Sequence, residues 1–259
     1  MLRQKLAPLF KAIHTNQTQL KGINESLMVK LAQKSNVAAQ AKRNAVTDHE
    51  VKFAELSEEH GFQYLASMKK DLPEEGFYYV FEPNGSQQSP DFKFVSVKEN
   101  KVQEEQSVDL KHSLGKTIVL NDGWFEEGII YVITYTKNKT TNTFLGLGER
   151  IPTQEEKTKM EQIKRIKKEL NMVADKNVGN LHTYIRFANR YECERFTEEF
   201  LEAEYTYLID WLESKQQEQS KESKKLRKVI RREGIVVDTP VNEDEEFNTL
   251  IQQITHLMV

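Results

Sequence analysis

Short apolar stretches punctuated by turn residues occupy the middle of the chain. They are rich in Val, Ile, Phe and Tyr, a composition that predicts strands. The predicted strands cover residues 77–82, 91–97, 107–112, 116–120 and 128–136. Residues 98–101 lie between two of these strands and predict a hairpin turn. The pattern therefore favours a β-rich centre.

Apolar residues spaced three and four apart predict helices on both sides of this centre. Residues 47–60 predict a helix that ends at Gly61, a residue typical of helix C-termini. Later helices are predicted at residues 153–173, from 187 to about 232, and at 243–258. We expect an α/β fold in which a mixed sheet at residues 44–150 is flanked by helices. Residues 1–43 form an N-terminal helical segment in this prediction, and residues 151–259 a helical C-terminal region packed on the core.

Composition narrows the class of protein. Hydrophobic residues make up 38% of the chain, and the strongest apolar stretch, residues 128–135, is too short to span a bilayer. Residues 1–14 lack the pattern of a secretory signal peptide. The lone Cys193 excludes an intramolecular disulfide framework and a multi-cysteine zinc site, and it is expected to be a small packed side chain. These features predict a cytoplasmic protein without a membrane partner.

Charge is unevenly distributed along a chain whose net charge is only −3. Residues 215–232 carry eight cationic side chains against two glutamates, whereas residues 238–246 are acidic. Residues 157–168 are also basic. Such blocks are compatible with phosphate contact at one face, or with a solvated helix face.

Two predicted strands bring acidic residues and a lysine together. Pro90 and Asp91 open one strand, and Asp109 and Lys111 lie in the next. Because side chains alternate along a strand, Asp109 and Lys111 share one face, while Val108 and Leu110 point to the other, toward packed helices. Two carboxylates and an ammonium are thus expected to meet at one point. The alternative is an ordinary sheet on which Asp109 and Lys111 form a weak surface pair.

This arrangement resembles the PD-(D/E)xK nuclease superfamily, in particular its type II restriction endonucleases. Pro90-Asp91 matches the PD, and Asp109-Leu110-Lys111 matches the (D/E)xK with Asp in place of the commoner Glu. Seventeen residues separate the two aspartates, within the usual spacing of the family. The resemblance covers about residues 44–136, including a helix upstream of the motif and a strand after it.

The resemblance implies sequence-specific hydrolysis of double-stranded DNA with Mg²⁺, for which Mn²⁺ can substitute. It also implies a companion DNA methyltransferase that protects the host. Two other functions stay open: another nuclease of this superfamily, acting in repair or on branched DNA, and a non-catalytic interaction protein built on the predicted helix at 187–232. A monomer and a homodimer both fit the sequence.

The chemistry explains the residue types. Mg²⁺ prefers oxygen ligands, which Asp91 and Asp109 supply, and it activates water and polarises phosphate. Lys111 is expected to orient or deprotonate the attacking water, with its pKa lowered by desolvation and by the metal. Glu50 is the predicted third carboxylate, because it lies on the apolar stripe of the upstream helix. Glu55 is the alternative third carboxylate. A further alternative is that Glu50 lies at the edge of the stripe with its carboxylate in water and takes no part in the site.

Candidate DNA contacts lie outside this cluster. Residues 138–150 look like a polar loop, with Asn138, Lys139 and Arg150 able to read base edges. Gln88 borders the metal site in a second such loop. Both loops are also compatible with simple solvation. A basic stripe predicted to track phosphates comprises Lys224, Arg227, Lys228 and Arg231. His112 should point away from Lys111 and is expected to be structural.

Overall fold

The computed structural model describes residues 1–15, 20, 24–32, 46–68, 71–84, 89–121, 123–137, 140–177 and 188–214. Its helices are α1 (Leu2–Thr15), α2 (Glu25–Ala32), α3 (Asp48–Glu59), α4 (Gln154–Asn177) and α5 (Glu198–Glu213). Its strands are β1 (Gln63–Tyr64), β2 (Glu75–Phe81), β3 (Phe92–Lys98), β4 (Lys101–Ser113), β5 (Thr117–Asn121), β6 (Ile129–Lys137), β7 (Thr140–Leu147) and β8 (Ala188–Glu192).

A mixed six-stranded sheet forms the centre of the fold, in the order β1-β2-β3-β4-β6-β7. Strands β2, β3 and β4 form an antiparallel meander, and β6 pairs with β4 in parallel. Between β4 and β6 the chain leaves the sheet through β5, which pairs with β8 in a separate two-stranded sheet. The expected α/β class, a mixed sheet flanked by helices, is confirmed at this level.

Local signals set the elements around the candidate motif. Helix α3 begins after Thr47 and is followed by Gly61, whose φ of +80° is the left-handed conformation typical of a helix end. The β3–β4 hairpin turns through Glu99 and Asn100, which have φ of 54° and 56°. Two successive positive φ values are characteristic of the tight turns that match strand twist. Both predictions are confirmed.

One face of the sheet packs against helices, as the alternation of Val108 and Leu110 predicts. Both residues are buried and belong to the main apolar core. Phe53 of α3 lies against Phe92 of β3, with ring centroids 4.9 Å apart. Apolar residues of α1, α2 and α5 join the same core. The helices therefore hold β3 and β4 in place from one side.

The opposite face of β6 and β7 is covered by the smaller sheet and the segment after it. Tyr131, Phe144, Tyr191 and Phe196 are buried there in a second apolar cluster. Cys193 belongs to this cluster, and burial raises the pKa of its thiol to about 11. Cys193 is thus the small packed side chain that was expected, although it lies in a short 3₁₀ turn rather than on a helix.

Two predictions of secondary structure are wrong. Residues 140–147 of the predicted loop form β7, because the β-branched Thr141 and Thr143 and the apolar residues after them pair along the whole of β6. The predicted helix at 187–232 is wrong at its start, since residues 188–192 form β8 against β5, while residues 198–213 are helical and residues 215–232 lie outside the described residues. Helix α5 begins only at Glu198, where Thr197 accepts a hydrogen bond from the Phe200 N–H, a typical N-cap.

Met1–Ser214 form one compact unit. The division into segments 1–43, 44–150 and 151–259 stays a prediction. The helix predicted at 243–258 and the basic block at 215–232 lie outside the described residues. Within the described ranges, every helix is too short or too polar to cross a bilayer.

Candidate functional site

The register of the β3–β4 hairpin sets Asp91 opposite Asp109. Phe92 pairs with Val108, so the next position outward brings the two aspartates face to face. The Leu110 N–H donates a hydrogen bond of 2.7 Å to Asp91 Oδ2. The backbone of β4 thus fixes the carboxylate of Asp91 next to that of Asp109.

Asp109 is a buried carboxylate with an unsatisfied oxygen. The residue is 1% exposed. Its Oδ2 lies 2.6 Å from the Lys111 ammonium, while Oδ1 has no hydrogen-bond partner among the described residues. A buried carboxylate oxygen without a partner is costly, and such an atom calls for a donor or a cation.

The negative charges of the Asp91–Asp109 pair are not fully balanced by the single ammonium of Lys111. Burial raises the pKa of Asp91 well above its usual range, and the charge of Asp109 and a side-chain hydrogen bond to it raise the pKa further, so a protonated Asp91 can also serve as a donor to Asp109. Lys111 acts in the opposite direction without cancelling these effects. These effects disfavour the ionised form of Asp91 in the metal-free protein, and a cation bound here would act in the opposite direction.

Lys111 differs from the expectation of a lowered pKa. Burial does lower the pKa of its ammonium, and this is the largest single effect. The carboxylates of Asp109, Asp91 and Glu50 together outweigh it, so the net pKa is raised. The expected lowering included the charge of a bound metal and stays a prediction for the metal-bound protein, whereas in the metal-free protein the carboxylates reverse the effect of burial.

Glu50, rather than Glu55, lies within electrostatic reach of this cluster. Its Oε2 accepts a 2.6 Å hydrogen bond from the Thr47 N–H at the start of α3. Burial raises the pKa of Glu50, and its charge in turn affects the pKa of Asp91 and Lys111. Glu55 is instead paired with Lys52 at 2.6 Å.

Sequence reasoning missed two neighbours of the cluster. Glu82 follows β2 with a left-handed φ of 45°, its N–H donates to the Asp91 carbonyl at 2.7 Å, and its charge raises the pKa of Glu50. The ring of His49 lies 5.3 Å from that of His112. Burial lowers the pKa of His49 to about 4, with smaller effects of His112 and Lys111. The position of His49 directly before Glu50 was the available signal.

The candidate DNA-contact residues fall into two groups. Arg150 is held within the protein, because its guanidinium binds Glu204 at 2.6 and 2.7 Å and lies 3.7 Å from the Tyr207 ring centre. Its role in base reading stays a prediction. The remaining candidates lie outside the described residues: Gln88, Asn138, Lys139, Lys224, Arg227, Lys228 and Arg231.

The oxygen donors of Asp91 and Asp109 meet the requirements of a divalent cation only in part. Among the described residues, no three His, Cys, Asp or Glu side chains stand together as a ready-made metal cage. Asp91 and Asp109 nevertheless supply adjacent oxygen donors, one of them unpartnered and buried. That set fits Mg²⁺, which keeps several waters and takes one or two protein carboxylates.

Comparisons with protein-family models, with curated proteins and with solved structures find no match for this chain. The function is therefore inferred from the chemistry of the site residues themselves.

Proposed function

We propose that this chain is a Mg²⁺-dependent DNA endonuclease of the PD-(D/E)xK type, acting as a type II restriction enzyme. The observation that carries the proposal is the meeting of Asp91, Asp109 and Lys111 in one buried group of two carboxylates and an ammonium. The residues are those that the motif identifies in the sequence.

The burial of the group argues against the alternative of a weak surface pair. The side chain of Asp109 is 2% exposed and that of Lys111 is 24% exposed. Removing such charges from water costs several kcal/mol per ion before their attraction is counted. An apolar pair would stabilise the sheet more simply, so the charges are better explained by function.

The structure weakens the competing hypothesis of a non-catalytic helical interaction protein. It rested on a continuous helix over residues 187–232, and residues 188–192 form a strand instead. No specific observation in the described residues favours it over a nuclease.

The site residues have separable roles in the proposed reaction. Asp91 and Asp109 would hold Mg²⁺, which on binding polarises the scissile phosphate and lowers the pKa of a bound water. Lys111, fixed by its bond to Asp109, stabilises negative charge that develops on the phosphate. Glu50, the predicted third carboxylate, acts electrostatically on Asp91 and Lys111 and would be a further ligand of the metal.

The decisive experiment is digestion of a sequenced plasmid by the full chain with Mg²⁺, followed by sequencing of the ends. A restriction enzyme yields defined fragments whose ends share one short sequence. Cleavage confined to branched or damaged DNA would instead identify another nuclease of the same superfamily. The absence of cleavage on intact, branched and damaged DNA would refute the proposal.

A further inference from the structure

Two histidine rings meet where α3 approaches the end of β4. His49 lies in the first turn of α3, and His112 is the last residue but one of β4. Their ring centres are 5.3 Å apart and the ring planes are inclined by 32°. Another histidine of this fold, His14, stacks flat on Tyr205, with ring centres 3.6 Å apart and planes inclined by 4°. The His49–His112 rings are therefore spaced too widely for a flat stack.

The spacing of the two rings fits a shared metal ion. Two imidazoles bound to one ion through metal–nitrogen bonds of about 2.0–2.1 Å, at a tetrahedral angle, place their ring centres about 5 Å apart. The observed separation of 5.3 Å is close to that value. Imidazole is a good ligand for Zn²⁺, Ni²⁺ and Cu²⁺, whereas Mg²⁺ prefers oxygen. The histidine pair therefore suits a different class of ion from the Asp91–Asp109 carboxylates.

The histidine pair lies on the other face of β4 from Asp109 and Lys111. Because side chains alternate along a strand, His112 shares a face with Leu110, which is part of the core between the sheet and the helices. The contact of His112 with His49 on α3 agrees with that orientation. His112 is exposed and His49 is half-buried, so an ion can reach the pair from solvent. The two donor sets are thus distinct.

We infer that His49 and His112 bind a transition-metal ion of the Zn²⁺ class. Among the described residues, no third His, Cys, Asp or Glu side chain joins the pair to form a metal cage, so water completes the coordination. The bound ion links the first turn of α3 to the end of β4. Because Glu50 directly follows His49, this link holds the helical turn that carries the predicted third carboxylate.

Zinc binding by the full chain tests this inference without DNA. Calorimetric titration with Zn²⁺ in excess Mg²⁺, which leaves imidazoles free, measures the affinity. His112→Ala changes an exposed side chain and should weaken Zn²⁺ binding at least about tenfold, because losing a ligand costs no less than losing an outer-shell partner. His60→Ala is the matched control and should leave the affinity unchanged. His60 lies at the other end of α3, with its ring 2.8 Å from the Leu56 carbonyl.

Copper identifies the ligands directly, since Cu²⁺ binds imidazole more strongly than Zn²⁺ does. Electron paramagnetic resonance of the chain with less than one equivalent of Cu²⁺ should show hyperfine splitting from two nitrogens, which His112→Ala loses. Asp109→Asn should keep the Zn²⁺ affinity of the wild type. No Zn²⁺ binding, equal affinity in His112→Ala, loss of affinity in Asp109→Asn, or Cu²⁺ bound by oxygen alone would each overturn the inference. None of these results depends on plasmid cleavage, so the histidine site and the proposed function can fail separately.

Discussion

At the scale of single residues, the cluster of Asp91, Asp109 and Lys111 determines both the proposed activity and a stability cost. Each side chain is fixed by a partner on β4, so substitution removes a charge from a defined geometry. Asp91→Asn, Asp109→Asn and Lys111→Ala should each lower plasmid cleavage by several orders of magnitude. Rates are to be measured under single turnover.

The control for these variants is Lys11→Ala. Lys11 lies on α1 and pairs with Glu213 at 2.5 Å where both side chains are about half exposed, so its loss should leave cleavage nearly unchanged. Near-normal cleavage in any of the three cluster variants would remove that residue from the site.

Asp91→Asn should also stabilise the metal-free protein. The folded-state pKa of Asp91 is raised above its unfolded value, so stability is lost as pH rises from about 3.9 through the folded pKa. The neutral amide avoids that loss. We expect the variant to have a higher Tm than the wild type at neutral pH in EDTA.

The difference in Tm between variant and wild type should disappear as the pH approaches 4, where the wild-type carboxyl is itself protonated. Differential scanning fluorimetry across pH measures it. An unchanged or lowered Tm at neutral pH would mean that the Asp91 charge is already compensated in the folded protein.

At the scale of elements, Arg150 and Glu204 tie the end of β7 to α5. Glu204 is 5% exposed and both of its oxygens accept from the Arg150 guanidinium. Arg150→Ala would leave a buried carboxylate unpaired and should lower the free energy of unfolding by about 2–4 kcal/mol. Arg150→Lys should be intermediate, because an ammonium lacks the two-pronged geometry.

Urea unfolding of the full chain measures these effects. Glu155→Ala serves as the control, since its pairing with Lys159 on α4 is fully exposed and contributes little to stability. Equal losses for Arg150→Ala and the control would show that the buried pair contributes little.

At the scale of the whole molecule, metal binding should couple stability to activity. EDTA should abolish cleavage, Mg²⁺ or Mn²⁺ should restore it, and Ca²⁺ should support DNA binding without cutting, because it coordinates more loosely. Mg²⁺ should raise the Tm of the wild type by mass action and leave that of Asp109→Asn unchanged. Full activity in EDTA would contradict the proposed mechanism.

The basic stripe of the C-terminal region gives a second prediction at this scale. Replacing Lys224, Arg227, Lys228 and Arg231 by Gln should weaken binding to all DNA sequences alike. The slope of log affinity against log salt should flatten by roughly one unit per lost phosphate contact. Affinity for one specific and one random duplex at several salt concentrations tests it. An unchanged slope would identify the stripe as a solvated arm.

The sequence by itself determined the elements whose signals are local. Thr47 and Gly61 delimit α3, Glu99 and Asn100 make the β3–β4 turn, and strand alternation separates Asp109 and Lys111 from Val108 and Leu110. Each of these follows from the conformational preferences of a few adjacent residues. The candidate site was predictable for that reason, since a single hairpin brings most of it together.

Only the tertiary structure decided what depends on distant partners. The polar run at residues 140–143 becomes part of β7 because it pairs with β6, and β8 replaces a predicted helix because β5 offers an edge. Arg150 pairs with Glu204 on α5, which begins 48 residues further along the chain. The pKa of Lys111 rises rather than falls because folding gathers three carboxylates around it. Strand pairing, burial and electrostatic interactions depend on residues that are distant in the sequence, so a local sequence pattern cannot predict them.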